Sequence, residues 1–236
     1  MSQNNARSSL FGALFMPALI LGVLIILAIL VISFRPGPDT SAASDGSRTL
    51  DSSTMAQFDS QYDALGESIG SADAPVTIRE FADYQCPACA SFAPTAKRIR
   101  DELVESGKAR FVFFDFPLPM HPHAQQAAVA ARCSARQGKF WAYHDRLFET
   151  QRDWSQQDDP TSTFLDMAVE NGIDADRLAA CVNQGGPDEV ISQNQEAGKA
   201  IGLRATPTVL VGNRMFSGVV GYDRIQQAID AQTNGS

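Results

Sequence analysis

Two cysteines separated by two residues, Cys86-Pro87-Ala88-Cys89, form the most reactive pattern in the chain. They follow a β-rich run, Val76-Thr77-Ile78-Arg79-Glu80-Phe81, and open a stretch of helical character. At such a junction the first sulfur meets the unpaired N–H groups and the positive dipole end of the helix. Both favour thiolate over thiol. Pro87 suits the first helical turn, where its missing N–H costs nothing. The chemistry implied is dithiol–disulfide exchange. A structural zinc site would need a second close pair of Cys or His, and Cys133 and Cys181 stand far apart with no such spacing. No metal and no cofactor is expected.

A thiol brought from a pKa of about 8.5 to about 5 gains no net nucleophilicity at pH 7, because intrinsic reactivity falls as the ionised fraction rises. The reduced state is what gains, by roughly 2.7 kcal/mol, or about 60 mV in a two-electron couple. Such a pair is better at donating its disulfide than at reducing others. Late in the chain, Thr206-Pro207-Thr208 opens another short β-rich run. A proline there is often cis, and it removes an N–H that would compete for a neighbouring chain.

The elements that must position these residues alternate. After the strand at 76–81, a helix is expected over 87–107, with Phe92, Ile99 and Leu103 inward and Gly107 as its stop. Residues 110–116 (RFVFFDF) read as a second buried strand, ended by Pro117 and Pro119. A long helical stretch, broken by turns, covers 121–203. Two short strands, 208–211 and 215–219, and a last helix from Tyr222 to about Ala231 close the chain. The pattern is a mixed α/β sheet flanked by helices.

The runs EFADYQCPAC, FPLPMHPHA, CSARQGKFWAYHDRLF and ATPTVLVGN resemble the DsbA-like thiol:disulfide oxidoreductases of the thioredoxin superfamily. The resemblance covers about residues 74–230. It implies a thioredoxin fold with a helical domain inserted at about 117–204. By position, Cys86 is similar to the nucleophilic cysteine and Cys89 to the buried resolving one. Pro207 matches the cis-proline that faces them, and Thr206 before it offers its backbone to substrate. Glu80 matches a buried acid that assists proton transfer; the plainer reading is a strand residue with an ion-pair partner. Cys133 and Cys181 both fall in the inserted region, where relatives carry a second disulfide. Two free buried thiols remain the alternative. Ala88 departs from the best-known oxidases, which have His there, so no imidazolium stands beside the thiolate. His121, His123 and His144 fall in family packing motifs rather than in a metal site.

The remainder of the chain bounds the setting. The 44% hydrophobic content excludes a disordered chain, and the net charge of -8 from 27 acidic and 19 basic residues argues against nucleic acid. Residues 10–34 carry no charge and would span about 37 Å as a helix, enough to cross a bilayer. They read as a single transmembrane helix, with a cleaved signal peptide as the rival. Residues 1–9 would then be cytoplasmic, 35–60 a flexible linker, and 61–236 the catalytic domain. The redox cysteines require an oxidising compartment, which places that domain outside the cell membrane.

The function expected is a membrane-anchored oxidoreductase that introduces disulfides into reduced or unfolded exported proteins. The resemblance implies reoxidation by a membrane partner similar to DsbB or a vitamin K epoxide reductase homologue. The nearest alternative is an isomerase or reductase kept reduced by a membrane electron donor. A Cu(I)-binding dithiol module is the rival from another class, although no Met-rich or second Cys-rich cluster supports it.

Overall fold

The computed structural model describes residues 46–233. Strand β1 (Ser47–Thr49) leads into helix α1 (Ser52–Gln61), whose N-cap Asp51 accepts the Thr54 N–H at 2.8 Å. A single 3-10 turn at Asp63–Leu65 precedes strand β2 (Glu67–Ile69). The linker expected over 35–60 is thus folded from Ser47 onward. Three spaced apolar residues explain the difference: Leu50, Met55 and Phe58 are buried, and Phe58 meets the rings of Phe81 and Phe114 edge-on. Polar neighbours hid them in the composition. The span expected at 10–34 lies outside the described residues. Among the described residues, no helix is long and apolar enough to cross a membrane.

Strand β3 (Val76–Ala82) runs into helix α2 (Pro87–Ile99), which widens into a π-type turn over Arg100–Val104 before strand β4 (Ala109–Asp115). Gly107 takes φ +74 in the connection, a conformation that side chains other than glycine's resist. Strands β3 and β4 are parallel, with α2 as their crossover. Six helices then form the insertion: α3 (Ala124–Ala135), α4 (Phe140–Glu149), the short α5 (Gln151–Trp154), α6 (Thr161–Glu170), α7 (Ala175–Asn183) and α8 (Asp188–Ala200). The chain returns to the sheet as β5 (Thr208–Val211) and β6 (Arg214–Ser217), and helix α9 (Tyr222–Thr233) ends the described part.

The sheet order is β1-β6-β5-β3-β4-β2, and every pair except β3–β4 is antiparallel. Strand alternation divides the apolar residues between two faces. Ile78, Phe111 and Phe113 pack with α2, α3, α4 and α9, whereas Phe81, Val112 and Phe114 pack with α1 and the end of α8. Gly198 lets α8 close on the second face, since a Cβ there would stand 2.6 Å from the Phe116 ring. This is a thioredoxin-like α/β fold with a helical insertion. Its central strands end together at the loop that carries Cys86.

Candidate active site

Four residues, Asp83 to Cys86, carry the chain from β3 to α2, and Asp83 organises them. Its buried carboxylate accepts the N–H groups of Gln85 at 2.7 Å and Leu118 at 2.8 Å. The same carboxylate meets His121 Nδ1 at 2.7 Å. Its carbonyl accepts the Cys86 N–H at 3.1 Å, and its own N–H donates to Cys89 Sγ at 3.5 Å. Cys86 is then the extended N-cap of α2 and Pro87 its first residue. The sulfur therefore sits at the end of the helix where N–H groups are unpaired.

Both cysteines are free thiols. Cys86 keeps 8% of its surface accessible and Cys89 none, so the outer thiol is a narrow opening rather than a protruding group. The Cys86 thiol donates to the Thr206 carbonyl at 3.6 Å. The Thr206–Pro207 peptide is cis, and the β3–β5 register, Phe81 opposite Thr208, brings the two loops side by side. The Thr206 hydroxyl is buried with no other partner and so is available to the sulfur.

The two thiols are electrostatically unequal. Cys86 is lowered to about 5, chiefly because the Cys89 thiol donates to it; burial opposes this, and Thr206 with the N–H groups of Cys89 and Ala88 adds to it. Cys89 is pushed well above its ordinary value by burial, by that donation and by the charge on Cys86. The leading cause is thus the partner cysteine, with the helix terminus contributing through its N–H groups.

Glu80 lies on β3, 1% exposed, its charge acts on Cys89, and neither carboxylate oxygen has a hydrogen-bond partner. The plainer reading, an ion-paired strand residue, does not describe it. Burial raises it to about 8; the Arg100 charge opposes the shift and Asp145 adds to it. Arg100 is itself paired with Asp145 and stacked 4.7 Å over Trp141.

Cys133 on α3 and Cys181 on α7 are joined in a disulfide with Cα atoms 5.8 Å apart. It sits inside the insertion rather than in the Cys86 loop. The histidines hold structure: His121 on Asp83, His123 on the Gln157 carbonyl at 2.8 Å, and His144 Nδ1 hydrogen-bonded with the Tyr84 hydroxyl at 2.9 Å. Burial holds His144 well below its usual value, hence neutral. Among the described residues, no group of three or more His, Cys, Asp or Glu could hold a metal ion.

Sequence reasoning missed Asp83, Gln85 and Gln151. Gln151 Nε2 donates to the carbonyls of Tyr84 at 2.7 Å and Cys86 at 2.9 Å, across 65 or more residues of chain. A glutamine inside a helical run carries no local signal for such a contact. Asp83, three residues before Cys86, could have been suspected from its place at a strand-to-helix turn.

The chain matches the family described as Thioredoxin (Thioredoxin_4) over residues 65–231. It is 32% identical over 161 residues, 68% of its length, to the Na(+)/H(+) antiporter NhaA 3 of Salinispora tropica, of which it spans 24%. It is 26% identical over 174 residues to the disulfide bond formation protein D of Bacillus subtilis, covering 71% of this chain and 77% of that one. The crystal structure of oxidised BdbD from Bacillus subtilis superposes with a TM-score of 0.66 at 25% identity, covering 73% of this chain and 95% of that chain. The chain belongs to the thioredoxin family, in its DsbA-like branch of thiol:disulfide oxidoreductases.

Proposed function

We propose that this protein is a membrane-anchored, extracytoplasmic disulfide oxidase that acts through Cys86 and Cys89. The observation that carries the reading is the inequality of the two thiols: Cys86 near 5 beside the Thr206 carbonyl, Cys89 buried and held protonated. In the oxidised enzyme a substrate thiolate attacks Cys86 Sγ, and the Cys86–Cys89 bond breaks with Cys89 leaving and taking up a proton. A second substrate thiolate then attacks the substrate sulfur of the mixed disulfide. Cys86 leaves as its stabilised thiolate, and the two electrons rest on the enzyme's dithiol.

Glu80, protonated at neutral pH, is the proton source and sink for Cys89, and Thr206 with Pro207 presents the backbone that receives an extended substrate. Met120, 69% exposed, lies in the segment that Leu118 and His121 tie to Asp83, and Val219, 56% exposed, follows Gly218, whose N–H donates to the Pro207 carbonyl; these apolar side chains suit unfolded chains. Residues 10–34 supply the anchor, residues 35–46 the tether, and the Cys133–Cys181 disulfide stabilises the insertion. Reoxidation falls to a quinone-linked membrane partner of the DsbB or vitamin K epoxide reductase type. The decisive experiment is the equilibrium potential of the Cys86–Cys89 pair against glutathione. A value well above -200 mV supports the oxidase, and one near about -270 mV, that of thioredoxin, makes the protein a reductant.

A further inference from the structure

The helical insertion reaches the nucleophile through one side chain. Gln151 opens the short helix α5 and is 4% exposed. Its amide nitrogen donates to two carbonyls of the Cys86 loop, Tyr84 at 2.7 Å and Cys86 at 2.9 Å. The mounting is firm. Trp154, on the same helix, is fully buried, donates from Nε1 to the Leu147 carbonyl at 2.9 Å and packs on Phe164. The loop answers with Gln85, whose amide donates to the Ser155 carbonyl at 3.1 Å and accepts the His123 N–H at 2.7 Å.

The two carbonyls that Gln151 holds bracket the reactive residue. The Tyr84 carbonyl belongs to the peptide plane leading into Gln85, and the Cys86 carbonyl to the plane leading into Pro87. The Cys86 carbonyl also accepts the Ala90 N–H at 3.1 Å, the first turn of α2. Fixing both planes fixes where Cys86 Sγ stands relative to the N–H groups of Ala88 and Cys89. A thiolate at a helix terminus depends on that aim, because the dipole contribution fades within one turn.

We propose that Gln151 is a positioning residue for the dithiol: by donating to the Tyr84 and Cys86 carbonyls, it holds the nucleophile's peptide so that the first N–H groups of α2 face Cys86 Sγ. The insertion thereby tunes the nucleophile as well as enlarging the domain. This rests on the reading of Cys86 as the nucleophile. Removing the amide leaves the buried Tyr84 carbonyl without its donor and the Cys86 carbonyl held by the Ala90 N–H alone, which loosens the loop on the N-terminal side of Cys86.

The test measures iodoacetamide labelling of Cys86 against pH in the reduced full-length protein, with the labelled site read by mass spectrometry. Variants Gln151→Leu and Gln151→Met delete both donors, and Met keeps the length and flexibility of the side chain. The exposed neighbour Gln156→Leu serves as control. The expected result is a labelling midpoint raised by about half a pH unit or more in the Gln151 variants and unchanged in the control. Thermal melting and far-UV dichroism establish which variants are folded, and either folded variant suffices. Folded variants with the wild-type midpoint overturn the proposal, whatever their melting temperature, because a residue that only packs would lower the melting temperature and leave the midpoint unmoved. A wild-type midpoint near that of an ordinary thiol would instead overturn the reading of Cys86 itself.

Discussion

Cys86 Sγ lies 3.6 Å from the carbonyl oxygen of Thr206, a contact between residues 120 positions apart. The antiparallel β3–β5 pairing makes it possible, because β3 ends beside the start of β5, with Phe81 opposite Thr208. On its other side Cys86 receives the Cys89 thiol, so the outer sulfur is stabilised as thiolate while the inner one keeps its proton. Alkylation of the reduced protein at pH 6 should therefore label Cys86 and spare Cys89. Cys86→Ser should abolish oxidation of a reduced substrate, and Cys89→Ser should accumulate mixed disulfides through Cys86. Faster labelling of Cys89 would reverse the assignment.

The same asymmetry makes the relative stability of the two redox forms depend on pH. Cys86 titrates near 5 in the folded reduced protein and near 9.0 when unperturbed, so its contribution is complete above pH 9 and is lost as pH falls through 5. At pH 7 it should favour the reduced form by about 2 kcal/mol, allowing for partial contact with solvent. The disulfide form has no such group. Melting temperatures of both forms between pH 4 and 8 provide the check: the reduced-minus-oxidised difference should rise with pH across that range. A flat difference would mean that Cys86 is an ordinary thiol.

Glu80 should show the opposite dependence. Its folded value of about 8 lies above the unperturbed 4.5, so the stability it contributes is present below pH 4.5 and is lost as pH rises through 8. At pH 7 the penalty is on the order of 3 kcal/mol. Glu80→Leu should raise the urea midpoint at pH 7.5 and change it much less at pH 5. Thiol exchange by Glu80→Gln should slow about tenfold or more if the acid serves Cys89. Unaltered exchange in that variant would reduce Glu80 to a buried liability.

Much of this was legible in the sequence, for physical reasons that differ by residue. The strand and helix around Cys86 announce themselves because Ile78, Phe92, Ile99 and Leu103 repeat with the periods of their elements, and all four are buried. Pro87 at the first helical position is a local signal too. The contacts of Gln151 and Arg100, and those of Asp83 with Leu118 and His121, are not local: each forms only after the chain beyond β4 folds back on the sheet. Segment 47–61 failed for another reason. Its apolar residues are few, and their value comes from the Phe81–Phe114 surface they cover, which no window of nearby residues contains.

The Cys133–Cys181 disulfide closes a loop with a sequence separation of 48 residues. Removing it releases the unfolded chain, which in the chain-entropy account costs about 4 kcal/mol for such a loop, with 2–4 kcal/mol usual in practice. It stands apart from the Cys86 loop, so Cys133→Ala/Cys181→Ala should lower the urea midpoint yet retain most substrate oxidation. Loss of oxidation in a folded double variant would give the second disulfide a part in the chemistry.

Helix α1 occupies the end of the segment whose composition suggests a linker. Phe58 is 1% exposed and meets Phe81 and Phe114 edge-on, while Arg79 pairs with Asp59 at 2.7 Å and Asp63 at 2.6 Å to hold the segment against β3. Phe81 directly precedes Ala82 and the Asp83 loop, so α1 supports the strand that presents the dithiol. Phe58→Ala leaves a cavity at the centre of this face and should cost about 3–5 kcal/mol in urea unfolding of the full-length chain. Asp51→Ala removes only the helix cap, whose carboxylate accepts the Thr54 N–H, and should cost about 1 kcal/mol. The ordering of the two carries the inference, since a linker would tolerate both substitutions equally. Should Phe58→Ala prove as harmless as Asp51→Ala, α1 would not be part of the core that holds β3 in place.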